Sequence, residues 1–160
     1  MALLPRLSLL SATCLATLLS AASASAATEA LPAGSSAQVA ILETTDLHSN
    51  VLSYDYYKQH DDASVGLERV ASLIAQARRQ YPNTLLFDAG DTIQGTVLAD
   101  YQALIQPPDC KQELAIYQVM DRLHYDGGTI GNHEFNYGLP FLSKVSGTPM
   151  QVSGVPVEHC

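Results

Sequence analysis

Three short apolar runs, each passing directly into a polar cluster, constrain this chain more than any other feature. They are "VAILETT" (39–45) leading to "DLHSN", "TLLFDAGD" (84–91), and "YDGGTI" leading to "GNHEFNYG". Short aliphatic and β-branched runs of this kind read as buried strands, the third placed near 128–130. Between the first two lies "GLERVASLIAQARRQ" (66–80). Its Leu67, Val70, Ala71, Ile74 and Ala77 share a helical face, and Arg78 and Arg79 suit its C-terminal end. Between the second and third lie a short helix in "QGTVLADYQAL", stopped by Pro107 and Pro108, and a helix over 110–123 with Leu114, Tyr117, Val119 and Met120 as core. Residues 54–65 lack a period and read as a loop, while "YGLPFLSKV" opens a further helix that tolerates Pro140 in its first turn. Strand, helix, strand, helix, strand predicts an α/β fold with a mainly parallel sheet and right-handed crossovers.

In such folds, sites collect where loops leave the carboxyl ends of strands. Asp46 and His48 follow the first strand, Asp91 the second, and Asn132 and His133 the third. Carboxylate, imidazole and amide oxygen together suit divalent ions such as Mn, Fe, Co or Zn. A carboxylate shared by two ions holds them about 3.5–4 Å apart, a spacing useful for phosphoryl chemistry. Singly, an Asp after a strand is usually a helix cap and a lone histidine a satisfied polar residue; the weight rests on the three loops together. Glu134 reads as a hydrogen-bond acceptor behind the site rather than a ligand. Gly90 and Gly95 read equally as ordinary turns or as places where backbone approaches bound ions. Gln94 reads as a loop cap. Tyr54, Tyr56 and Tyr57 read as packing residues ahead of a nucleoside pocket. His60, His124 and His159 lie outside these clusters and read as structural or solvated.

The chain has 160 residues with 8 Lys+Arg against 16 Asp+Glu, a net charge of −8, and so lacks a basic footprint for a nucleic-acid polymer. Arg6, the apolar run 7–19 and Ala24-Ser25-Ala26 form a signal-peptide pattern over 1–26, which implies export without a stable membrane anchor. Residues 27–38 read as a flexible lead-in, and 39–160 as the folded part. Cys110 and Cys160 remain in the mature chain. An oxidising compartment permits their pairing, but spacing leaves it open, with separate thiols the favoured reading.

"TTDLHSN", "DAGDTIQG" and "GNHEFNYG" resemble the D-x-H, G-D-x-x-x-G and G-N-H-E blocks of the calcineurin-like metallophosphoesterases of the 5'-nucleotidase family, over about 39–142. Their wording is similar to the periplasmic members that hydrolyse 2',3'-cyclic nucleotides and 3'-nucleotides. The resemblance implies a two-sheet αββα sandwich and two divalent ions. Asp46 and His48 would hold one ion, Asp91 would bridge both, and Asn132 would hold the other. His133 would be catalytic, facing the substrate phosphate, with a metal-bound hydroxide as nucleophile.

The resemblance further implies histidines later in the chain, in a G-H-x-H motif, and a C-terminal nucleotide-binding domain. This sequence has neither. The expectation is therefore an N-terminal portion of a longer enzyme, with an incomplete sandwich, an uncovered apolar sheet face and little activity by itself. Asn136, three residues after His133, stands where 5'-nucleotidases resemble an aspartate that orients the histidine. An amide cannot stabilise an imidazolium as a carboxylate does, which shifts the substrate reading from 5'-nucleotides toward cyclic and 3'-nucleotides. The alternatives are a 5'-nucleotidase and a non-catalytic exported chain that binds metal weakly.

Overall fold

A computed structural model of the protein describes residues 32–157 and 160; the signal-peptide expectation lies outside the described residues. Residues 37–160 form one compact unit. Its centre is a parallel three-stranded sheet in the order β1 (Ala40–Thr44), β4 (Thr84–Asp88), β5 (Gly127–Gly128). Helix α1 (Leu67–Gln80) joins the first pair, and α3 (Ala115–Arg122) lies within the second connection. This is the parallel α/β arrangement that the alternating pattern predicts.

Register sorts the strand residues by face. Ile41 pairs with Leu85 and Glu43 with Phe87 on one side; Leu42 pairs with Leu86 and Thr44 with Asp88 on the other. Because strand side chains alternate, one face can be covered while the other is bare. Leu86 is 0% exposed and Asp88 is buried, whereas Ile41 is 70% exposed and Leu85 and Phe87 are also open. The bare face includes a shallow concavity of about 400 Å³ edged by Ile41, Glu43, Phe87 and Gly127. It is the uncovered apolar face expected of a sandwich with one sheet present.

The main core cluster is built from loop and helix residues, while Leu86 of β4 and Ile74 of α1 are buried besides. Leu47, Leu67, Ile93, Leu114, Ile116, Met120 and Leu142 form one buried cluster, drawn from the loops after β1 and β4, from α1, from α3 and the residue before it, and from α4 (Leu139–Ser146). Pro140 sits in the first turn of α4, where a missing N–H costs no helical bond, and Gly147 ends the helix at φ 65°.

Three expectations need correction, and one further element lies where the sequence reading named none. Residues 54–65 contain a small antiparallel hairpin, β2 (Tyr54–Asp55) with β3 (His60–Asp61), where a loop was expected. Helix α3 starts at Ala115 instead of residue 110, because Asp109 accepts the Lys111 and Gln112 amides in a turn that precedes it. A second hairpin, β6 (Gln151–Val152) with β7 (Val155–Pro156), follows α4. Cys110 and Cys160 form a disulfide with a Cα–Cα separation of 5.1 Å, where separate thiols were favoured. The fold brings their backbones together across 50 residues, which no local pattern records. The short helix α2 (Val97–Asp100) is as expected and continues into a π-helical turn, Tyr101–Ile105, before the prolines.

Candidate metal centre

The loops after β1 and β4 continue the sheet's hydrogen bonding beyond the strands. The Ala89 N–H donates to Thr44 O, Asp46 N–H to Gly90 O, His48 N–H to Asp91 O and Ser49 N–H to Thr92 O, at 2.7–3.1 Å. This zipper carries Asp46, His48, Ser49 and Asp91 at φ of 47–58°, the left-handed region that non-glycine residues seldom adopt. Such conformations persist only where surrounding bonds over-determine them, and they cluster at functional sites. Side chains that would alternate along a strand are thereby turned toward one point.

Ligand atoms of Asp46, His48 and Asp91 all lie within 4.8 Å of one another. The His48 Nδ1–H donates to the Gln94 carbonyl at 2.7 Å, which leaves Nε2 with a free lone pair, 3.7 Å from Asp46 Oδ1. A ring nitrogen fixed by a backbone carbonyl is how proteins orient a metal-binding imidazole. The site is open to solvent, with the Asp46 side chain 58% and the His48 side chain 29% exposed. Two carboxylates and one imidazole in this state match the donor preferences of a divalent ion, so the three residues form a possible metal site.

The third loop closes on Asp91. The His133 N–H donates to Asp91 Oδ1 at 2.7 Å, and a Cβ on Gly131 would collide with the Asp91 carboxylate. Asn132, between them, is therefore held at Asp91's side and is exposed. The His133 ring lies edge-on to His48, with centroids 5.2 Å apart. The Asn136 amide nitrogen is 3.1 Å from His133 Nδ1. An N–H₂ group only donates, so Nδ1 accepts and the ring proton sits on Nε2. All five residues singled out from the sequence thus meet at one end of the sheet.

Gly90 and Gly95 are close-approach positions. A Cβ at Gly90 would strike the Gly131 backbone, and one at Gly95 would come within 2.8 Å of His48 Cβ. Gln94 acts through its carbonyl. Tyr54 and Tyr56 pack edge-on at 5.1 Å and, with Tyr57 and Gly95, edge a recess of about 180 Å³ beside the His48 loop.

Sequence reading missed Asp88. It is buried and accepts hydrogen bonds from Thr44 Oγ1 (2.6 Å), Thr92 Oγ1 and the Gly90 N–H, so it braces the β4 loop from beneath. Its alternation with exposed Phe87 is the one signal that could have marked it. Nearby, burial pushes the Tyr117 phenol up to about 12, with the Glu134 and Asp88 carboxylates adding to the shift.

The strand-end loops of one parallel sheet thus gather Asp, His, Asp, Asn and His, and the chain is similar to calcineurin-like phosphoesterases and nucleotidases. It is similar to the 2',3'-cyclic-nucleotide 2'-phosphodiesterase/3'-nucleotidase of Salmonella typhimurium, 47% identical over 132 residues covering 82% of this chain and 19% of that protein. It also matches the snake venom 5'-nucleotidase of Naja atra at 36% over 116 residues, covering 68% of this chain and 20% of that protein. Among solved structures, the calcineurin-like phosphoesterase YfkN of Bacillus subtilis superposes with a TM-score of 0.62 at 48% identity, covering 72% of this chain and 34% of that one. The chain thus spans about a fifth of the length of these two curated relatives. No protein-family profile matches it.

Proposed function

We propose that this chain carries the first part of the catalytic centre of a metal-dependent phosphoester hydrolase acting on 2',3'-cyclic nucleotides and 3'-nucleotides. The observation that carries the reading is the convergence of Asp46, His48 and Asp91 within 4.8 Å, with His133 packed against His48. Asp46, His48 and Asp91 would hold one ion; Asp91, as the shared anion, and Asn132 would hold a second. Bound divalent ions supply positive charge for the phosphate and lower the pKa of water near it. The chain's own residues do the rest. Asn132 ligates without adding negative charge. His133, with Asn136 holding its Nδ1, carries the ring proton on Nε2 and would donate a hydrogen bond to a phosphate or leaving oxygen.

The greater similarity to the cyclic phosphodiesterase than to the 5'-nucleotidase supports the substrate choice, as does an amide at position 136. Export through a signal peptide to the periplasm is part of the same reading, supported by a disulfide that needs an oxidising compartment. The residues present offer three donors to one ion and two to the other, so metal binding and turnover by this chain are expected to be weak.

Calorimetry with Mn²⁺ tests the centre. Broadening of nucleotide ³¹P signals by bound Mn²⁺ tests the substrate without needing turnover. Cyclic and 3'-nucleotides should broaden more than 5'-nucleotides. The reverse order would favour a 5'-nucleotidase. Mn²⁺ binding with no broadening by any nucleotide would indicate a non-catalytic metal-binding chain.

A further inference from the structure

We infer that Glu134 is a positioning residue, a buried carboxylate clamp that sets the Asp91 and Asn132–His133 loops in their ligand geometry before a divalent ion arrives. The inference rests on the metal-centre reading above. Glu134 is 3% exposed. Its Oε1 accepts the Thr92 and Ile93 N–H groups at 2.5 and 3.2 Å, and its Oε2 accepts those of Asp91 and Gly131 at 2.8 and 2.7 Å. An ionised carboxylate has about four acceptor sites, and here four backbone donors fill them. Among the described residues no Lys or Arg pairs with it, so amide dipoles alone answer its charge.

The donors come from two segments about forty residues apart in the chain. One oxygen therefore joins the loop of Asp91 to the loop of Asn132, and the other fixes the turn that follows Asp91. Asp91 has a left-handed backbone (φ 58°). It is gripped at its own N–H by Glu134 and at its carboxylate by the His133 N–H. Two of the candidate ligands and the candidate catalytic histidine take their mutual placement from this one side chain. Glu134 itself offers no free lone pair to an ion, and acts through Asp91 and Asn132.

Two measurements test this. In the metal-free wild-type chain, the amides of Asp91, Thr92, Ile93 and Gly131 should exchange slowly with solvent; unprotected exchange there would overturn the clamp. In Glu134→Gln, an N–H₂ group replaces one acceptor and faces two N–H donors. Its Mn²⁺ affinity, measured by calorimetry at a temperature where both proteins are folded, should fall about 10- to 100-fold. A variant that melts earlier yet keeps its Mn²⁺ affinity within about twofold would show a merely structural role and sink the proposal. Should that variant not fold, the wild-type amide exchange decides. Absence of Mn²⁺ binding by wild type would defeat the functional reading, while the amides still report on the clamp.

Discussion

The two ends of one strand's side-chain alternation give opposite lessons. On β4, Leu86 and Asp88 are buried and Asp88 accepts three hydrogen bonds, whereas Leu85 and Phe87, one step away, face an uncovered surface. At the loop end of the sheet, Glu134 accepts four backbone N–H groups. On the bare face Ile41, Leu85 and Phe87 touch one another's strands but remain open to solvent. The zipper between the first two loops and the Glu134 bonds to the third lie at the loop end and involve no side chain of the exposed face.

The largest expected effect tests the loop end. Asp91→Ala should reduce Mn²⁺ affinity by more than ~100-fold, since the residue belongs to both proposed ligand sets and stops receiving the His133 N–H. A loss under tenfold, by calorimetry, would contradict its placement as the shared ligand.

The contrast between the two faces predicts a difference between neighbours. Leu86→Ala should cost about 2–5 kcal/mol in urea unfolding, as a fully buried Leu does. Leu85→Ala should cost less than about 0.5 kcal/mol. Equal costs would mean that the Leu85 face is covered in solution.

A smaller effect concerns Tyr117. Its phenol is raised from the ordinary 10.0 to about 12 by burial first, then by Glu134 and Asp88. The folded chain keeps a proton that the unfolded chain loses, so stability is intact below about pH 10 and falls as pH rises from 10 toward 12. Tyr117→Phe should flatten that part of the stability curve, and an unchanged slope in alkaline melting would show that the phenol is not the group responsible.

Much of this was legible beforehand because it is local. Five-residue apolar runs announced β1 and β4, and a 3.6-residue period announced α1. The residues Asp46, His48, Asp91, Asn132 and His133 were marked by position, each just past a strand. What separates Asp88 from Asp91 is not local. Both are aspartates within "FDAGD", and only the fold buries one under Thr44 and Thr92 and leaves the other half-buried beside His48. Two-residue strands such as β2 and β3 carry no period to detect. The start of α3 was misplaced because residues 110–114 are compatible with a helix, while a turn and a crosslink hold them out of one.

That crosslink has a consequence for a chain exposed to proteases. Cys110 and Cys160 enclose α3, the Asn132–His133 loop, α4 and the last hairpin within one covalent ring. A single cut in the exposed turn at Ser153–Gly154 would open the ring without releasing either piece. A nicked molecule would migrate as one species until a reductant separates it, because the part of the chain after the cut stays tethered through Cys160 to Cys110.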